Sequence, residues 1–191
     1  MPDQYANLTK NSTVPSVSGG VLWADKVNKC FYQFGGQFQD SPIDFSFWTY
    51  DTVLDQWNET SPKSNVNSLQ RVAFGAGTQI QDLGLGFYFG GWMSNMTSPS
   101  WGGLPMASNN LISYDFSTNT LNNNSGPSDN LGRAEGQLVY LPASDGGLLA
   151  YFGGVEDPHQ NGSYVPVCHQ PVCGAYYVLI KLIQANMSVR Q

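Results

Sequence analysis

Apolar residues along this chain fall in short runs of four to seven, each bounded by Gly, Asn, Asp or Ser, and no stretch sustains a 3.6-residue period. Val21-Leu22-Trp23 reads as a strand, Ala24 to Asn28 as a polar turn, and Lys29 to Phe34 as the hairpin partner. Phe45 to Asp51 alternates apolar and polar as a half-buried strand does, and a turn through Thr52 to Asp55 leads to Trp57. The same grammar returns from Arg71: a strand to Ile80, a turn at Gln81 to Gly84, strands at Gly86 to Phe89 and Leu111 to Asp115, then Leu121. From Arg133 it returns again, with Gln137 to Leu141 pairing through Ala143 to Gly147 with Leu148 to Phe152. The pattern predicts an all-β chain.

Three of these strands end in a glycine pair: Phe34-Gly35-Gly36, Phe89-Gly90-Gly91 and Phe152-Gly153-Gly154. Two glycines after an apolar strand permit positive φ and close backbone approach, so the strand can end in a sharp exit. The pairs stand about 55 and about 63 residues apart, the spacing of a four-stranded unit with variable loops. Tyr50-Asp51 and Tyr114-Asp115 follow in the first two units, with Trp57 and Leu121 seven residues after each Tyr. Arg133 is read as opening the third unit as Arg71 opens the second.

This combination resembles the kelch repeat, one blade of a β-propeller. The likeness runs from about Gly19 to Val155. Gly19-Gly20-Val21-Leu22-Trp23-Ala24-Asp25, followed by Phe31-Tyr32-Gln33-Phe34-Gly35-Gly36, is most similar to the extracellular and membrane-anchored kelch proteins of fungi. The resemblance implies about three four-stranded antiparallel blades, near residues 19–60, 71–123 and 132–158, with the third incomplete. A polar lead-in (residues 1–18) and a divergent tail (residues 159–191) flank them. The first unit lacks the opening Arg, and Leu121 stands where Trp is usual. In such a fold Tyr32, Phe34, Tyr50, Trp57, Phe89, Tyr114 and Phe152 are expected to pack between blades, because no single blade can bury itself.

Three blades fall short of the four to eight of a closed propeller, so a partial propeller is expected. With eight Lys plus Arg in 191 residues and a net charge of −6, the chain lacks the basic surface that nucleic acid or anionic lipid requires. Charged residues make up only 12 %, while seven Asn-x-Ser/Thr sequons occur, at Asn7, Asn11, Asn58, Asn95, Asn123, Asn161 and Asn186. That excess points to a glycoprotein of the extracellular space or cell surface. Asn58 and Asn123 are placed just past the fourth strands. Residues 1–18 hold no apolar signal-peptide core, and the most apolar run, Ala175 to Ile183, is too short to span a bilayer.

Candidate chemistry is sparse. Cys30, between aromatics, reads as a small buried hydrophobe. Cys168 and Cys173 either close a small disulfide loop, remain thiols, or bind zinc with His169, His159 or Asp157. No nucleophile elbow, phosphate loop or metalloprotease helix occurs. Asp51 and Asp55, like Asp40 and Asp44, read as turn residues rather than paired catalytic carboxylates. The resemblance raises one enzymatic alternative, a carbohydrate oxidase of the galactose oxidase type; no position matches its copper-ligand motifs, and no metal ligand or cofactor is assigned. The favoured function is non-catalytic binding of a protein or cell-surface glycan through the propeller-face loops. The long loop from Trp92 to Asn110 and the loop from Gln37 to Asp44 supply the candidates Trp92, Met93, Trp101, Phe38 and Asp40. The Trp/Met residues either form an exposed platform or fold back over their own blade.

Overall fold

Val17–Asp25 (β1), Cys30–Phe38 (β2), Phe47–Asp51 (β3) and Gln56–Thr60 (β4) form one antiparallel sheet in the order β1-β2-β3-β4. The computed structural model describes residues 12–63, 69–143 and 146–167, together with the backbone of Tyr177–Lys181. Ala76–Ile80 (β5), Leu85–Phe89 (β6), Asn110–Asp115 (β9) and Thr120–Ser125 (β10) repeat the arrangement, in the order β10-β9-β6-β5. Between β6 and β9 the ribbon Trp92–Met93 (β7) pairs with Met106–Ala107 (β8). In the third unit Gln137–Leu141 (β12), Leu148–Phe152 (β13) and Tyr177–Lys181 (β16) form a three-stranded sheet. Gly132–Ala134 (β11), Val155–Asp157 (β14) and Val165–Pro166 (β15) make a small sheet beside it. No helix occurs among the described residues.

The turns inside the blades share one device. Asp25, Asp51 and Asp115 each close a strand, and one carboxylate oxygen accepts the backbone N–H groups two and three residues on. Four residues after each Asp the chain turns left-handed, at Lys29 (φ 55°), Asp55 (φ 54°) and Asn119 (φ 54°), and re-enters a strand. An Asp that caps its own turn and a single positive-φ residue together make a short hairpin loop. Asp51 therefore serves as a turn cap, and Asp55 accepts the Tyr50 hydroxyl. The Asp115 carboxyl is pushed up by burial, but hydrogen bonds from Ser117 and Thr118 outweigh this and leave it below the usual carboxylate range.

The glycine pairs link each blade to the next. Gly35 and Gly36 (φ 72° and 91°) and Gly90 and Gly91 (φ 70° and 95°) are left-handed. The Gly36 amide donates to Val72 O at 2.8 Å and the Gly91 amide to Arg133 O at 2.7 Å. By this register Arg133 corresponds to Val72. Arg71 stands one position earlier, so the two arginines do not occupy the same place in their units, contrary to the sequence reading.

Blades pack face to face. Trp23 and Phe34 of the first sheet stack 5.5 Å apart and meet Tyr114 and Tyr88 of the second at 6.0 and 5.4 Å. Gly86 lies under the Trp23 indole, where a Cβ would come within 2.6 Å of the ring. On its other face the second sheet sets Phe89 edge-on to Tyr151 of the third, at 5.2 Å, among Leu111, Leu138 and Leu149. Burial pushes the Tyr151 phenol up to about 12 and raises the thiol of free, buried Cys30.

Tyr50 and Trp57 depart from the expected interblade packing. Their rings lie 5.2 Å apart on the outer face of the first sheet, with Leu22 and Phe31, and line a shallow apolar hollow of about 210 Å³. Through the shared register they correspond to Tyr114 and Leu121, each 1 % exposed against the first sheet. No described residues cover the outer face of the first sheet. Phe152, the third of the repeated Phe residues, is likewise only half-buried.

Residues 159–191 carry no repeat motif, yet Tyr177–Lys181 runs antiparallel beside β13, in the position β3 and β9 take in the other sheets.

Arg133, 2 % exposed, donates to Asp129 at 2.7 Å and to Glu156 at 2.8 Å. The bond from Arg133 holds the Asp129 carboxyl below its ordinary range. A carboxyl depressed in the folded state contributes stability above its unfolded pKa, about 3.9, and loses it as pH falls through the folded value. The unfolding midpoint is therefore expected to fall below about pH 4, with a weaker pH dependence in Asp129→Asn. An identical acid limb in that variant, followed by circular dichroism, would rule the pair out as a contributor.

Candidate functional site

The loops after β2 and after β6, with the connection from β4 to β5, meet at one end of the first two sheets. Thr97 organises one wall. Its Oγ1 accepts the Ser94 amide and donates to Ser94 O, each at 2.9 Å, closing a tight turn. The Met96 carbonyl then accepts the Phe38 amide at 2.9 Å, which ties the loop of the second blade to the end of β2. Between this turn, residues 43–47 and residues 59–62 lies a cleft of about 530 Å³.

Arg71 lines its inner side and is 4 % exposed. Nη1 donates to Gly35 O at 3.1 Å, and Nη2 to Ser46 O and Oγ, both at 3.3 Å. The guanidinium lies over the Phe38 ring at 4.8 Å and the Phe45 ring at 5.8 Å. Its Nε–H has no protein acceptor. Among the described residues no carboxylate lies within ion-pair distance, and burial alone pulls the Arg71 pKa down to about 10. It remains a cation at neutral pH, held mainly by neutral dipoles and π faces. Ser46, Thr60, Ser61 and Ser98 also line the cleft, with Asp44 and Glu59 exposed at its edge.

The structure separates the five residues proposed from the sequence. Phe38 is buried beneath the Arg71 guanidinium and so supports the cleft. Asp40 is exposed nearby without lining it. Met93 is buried in the main core, and Trp101 packs against that core while its indole N–H donates to Leu104 O at 3.0 Å. Trp92 donates to Glu135 at 3.1 Å and sets its ring edge-on to Tyr164. The Trp/Met loop thus packs its large side chains against neighbouring units, Trp92 on the third and Met93 in the core between the first two. What the loop presents to solvent is its tip, with Leu104 67 % exposed, and Pro99 and Ser100.

Four sequons lie on described residues, with Asn58, Asn95, Asn123 and Asn161 all exposed. Asn58 and Asn123 sit inside the fourth strands rather than after them, and they are not register equivalents: Asn58 faces Thr49, whereas Asn122 faces the corresponding Ser113. Asn7, Asn11, Asn186, Cys168, Cys173 and His169 lie outside the described residues. His159 is exposed, and among the described residues no three His, Cys, Asp or Glu side chains cluster as metal ligands would. The repeat residues Gly153 and Gly154 are left-handed like the other pairs (φ 67° and 79°).

Arg71 is the functional candidate that sequence reasoning passed over, having treated it as a repeat marker. The available signal was its setting: one of only eight basic residues, inside the apolar run Leu69 to Phe74.

No family model matches the chain. A curated protein of Arthroderma benhamiae described as a kelch repeat-containing protein is 34 % identical over 180 residues, covering 73 % of this chain and 27 % of its own length. The chain thus spans about a quarter of that relative. Among solved structures, that of YjhT superposes with a TM-score of 0.52 at 19 % identity, over 81 % of this chain and 38 % of the other. That likeness carries the fold, a kelch-type propeller.

Proposed function

The chain belongs to the kelch-repeat family, and from that premise we propose that it is a non-catalytic binding module, engaging a protein or a cell-surface glycan through the loop end of its blades. One observation carries the reading: the cleft of about 530 Å³ between the loops of two adjacent blades, with a buried cation on its inner wall. A concave site of this size, with a few fixed polar groups, is what a small ligand or a protruding partner group requires. The rigid sheets hold it, and the bond from the Phe38 amide to Met96 O fixes one wall against the other. Display at the cell surface or in the extracellular space is part of the proposal, supported by the seven sequons and by the exposure of the four described ones.

Glycan-array and cell-surface binding by the chain, produced through a eukaryotic secretory pathway, tests this reading. A cleft-filling Ser98→Trp variant should lose at least tenfold in affinity, while Lys26→Ala, at an exposed ion pair with Asp82, should bind like the parent. Equal binding by Ser98→Trp and the parent would move the site elsewhere. Copper uptake with peroxide release from galactose would replace the binding reading with the oxidase one.

A further inference from the structure

Among the described residues two arginines are buried, and they are balanced in different ways. Arg133 donates to two carboxylates of its own chain, Asp129 and Glu156. Arg71, just as buried, donates among the described residues to backbone carbonyls and one hydroxyl, and its Nε–H has no acceptor there. A buried guanidinium without a counter-charge is costly, and the cost is recovered when an anion arrives with matching geometry. Arg71 is also among the residues that line the cleft, the side from which an anion would approach it.

We propose that Arg71 receives the carboxylate of an acidic sugar, of the uronate kind, bound in the cleft between residues 43–47, 59–62 and 97–100. This rests on the loop-end binding reading and names the ligand class for that same site. A carboxylate presents two oxygens in a plane, which matches the planar set of N–H donors of a guanidinium. The other groups of the cleft suit a polyhydroxylated ligand. Ser46, Thr60, Ser61 and Ser98 both donate and accept, and Asp44 and Glu59 at the edge accept sugar hydroxyls. The half-buried Phe45 ring, at the Arg71 guanidinium, offers an apolar face to a pyranose. An acidic peptide suits the site less well, since further carboxylates would meet Asp44, Glu59 and a chain of net charge −6.

Isothermal titration calorimetry with D-galacturonate, D-galactose and the dipeptide N-acetyl-Asp-Glu tests the assignment. The parent chain should bind galacturonate at least tenfold more tightly than galactose, and Arg71→Gln should bring the two sugars to within twofold. Because Arg71 also bonds Gly35 O across the blades, a second variant guards against misfolding. Ser46→Asp puts a carboxylate where Nη2 already donates, so it should unfold at or above the parent temperature yet lose the preference for the acidic sugar. Four results would overturn the proposal: binding of neither sugar, equal affinity for both, a galacturonate preference that survives in Ser46→Asp, or tighter binding of the dipeptide. Equal affinity for both sugars, lost in Ser98→Trp, would overturn the carboxylate assignment while leaving the cleft itself as the binding site.

Discussion

Trp23→Ala is expected to destabilise the chain by about 3–5 kcal/mol, the range for truncating a large buried aromatic. Trp23 is fully buried and lies where the first two blades meet. One side of its ring system stacks on Phe34 at 5.5 Å and the other meets Tyr114 at 6.0 Å, while Gly86 passes beneath it. Its indole N–H donates to Phe87 O at 3.2 Å, so truncation also removes a hydrogen bond between the two blades. The cavity can close only in part, because the rings and the glycine around it are fixed in two paired sheets. Trp23→Phe should recover roughly half the loss, since it restores ring contact without the donor. Urea unfolding followed by tryptophan-independent far-ultraviolet circular dichroism measures the effect, and a loss under 1 kcal/mol would contradict the stacking described here.

Gly90→Ala is expected to be far more damaging than a single added methyl normally is. Gly90 holds φ at +70°, which costs a non-glycine residue about 1–2 kcal/mol by itself. A Cβ there would also lie 2.1 Å from Arg133 O, a backbone atom that cannot rotate away and that already accepts the Gly91 amide. The third glycine pair supplies the control. Gly153 has nearly the same φ, +67°, but nothing stands within 4 Å of an added Cβ. Gly153→Ala should therefore cost only the conformational term, about 1–2 kcal/mol, and the excess in Gly90→Ala isolates the blade-to-blade contact. Equal losses in the two variants, compared by thermal unfolding, would mean that the contact has no energetic weight.

The repeat was legible in the sequence because it is written in residues whose physics is local. A glycine pair after an aromatic strand and an Asp closing a strand before a polar turn each act within five residues, and both appear in the structure as read. Aromatic identity was legible too, but not its placement. Tyr50 and Tyr114 share a motif, yet one is half-buried on an open face and the other lies under the first blade. Burial depends on which sheet stands opposite, and that information lies outside the motif.

Two further features depended on long-range geometry. The matching of Arg71 with Arg133 failed by one residue because connecting segments absorb insertions freely, and only the amide bonds of Gly36 and Gly91 reveal the true register. The strand at Tyr177–Lys181 carries no repeat residue, and its place is set by pairing with β13. The cleft draws its walls from three separate segments, two of them running into the ends of β3 and β4, so the sequence marked its position near the loops without its lining. Arg71 stands out only once the carboxylates around it can be counted.

Amide hydrogen exchange on the chain, with and without a bound glycan or protein partner, tests loop-end binding most directly. Protection is expected at residues 43–47, 59–62, 69–71 and 97–100, with β1, β2, β5 and β6 unchanged. Protection confined to the outer face of the first sheet, at Leu22, Phe31, Tyr50 and Trp57, with the cleft segments exchanging as before, would contradict the account.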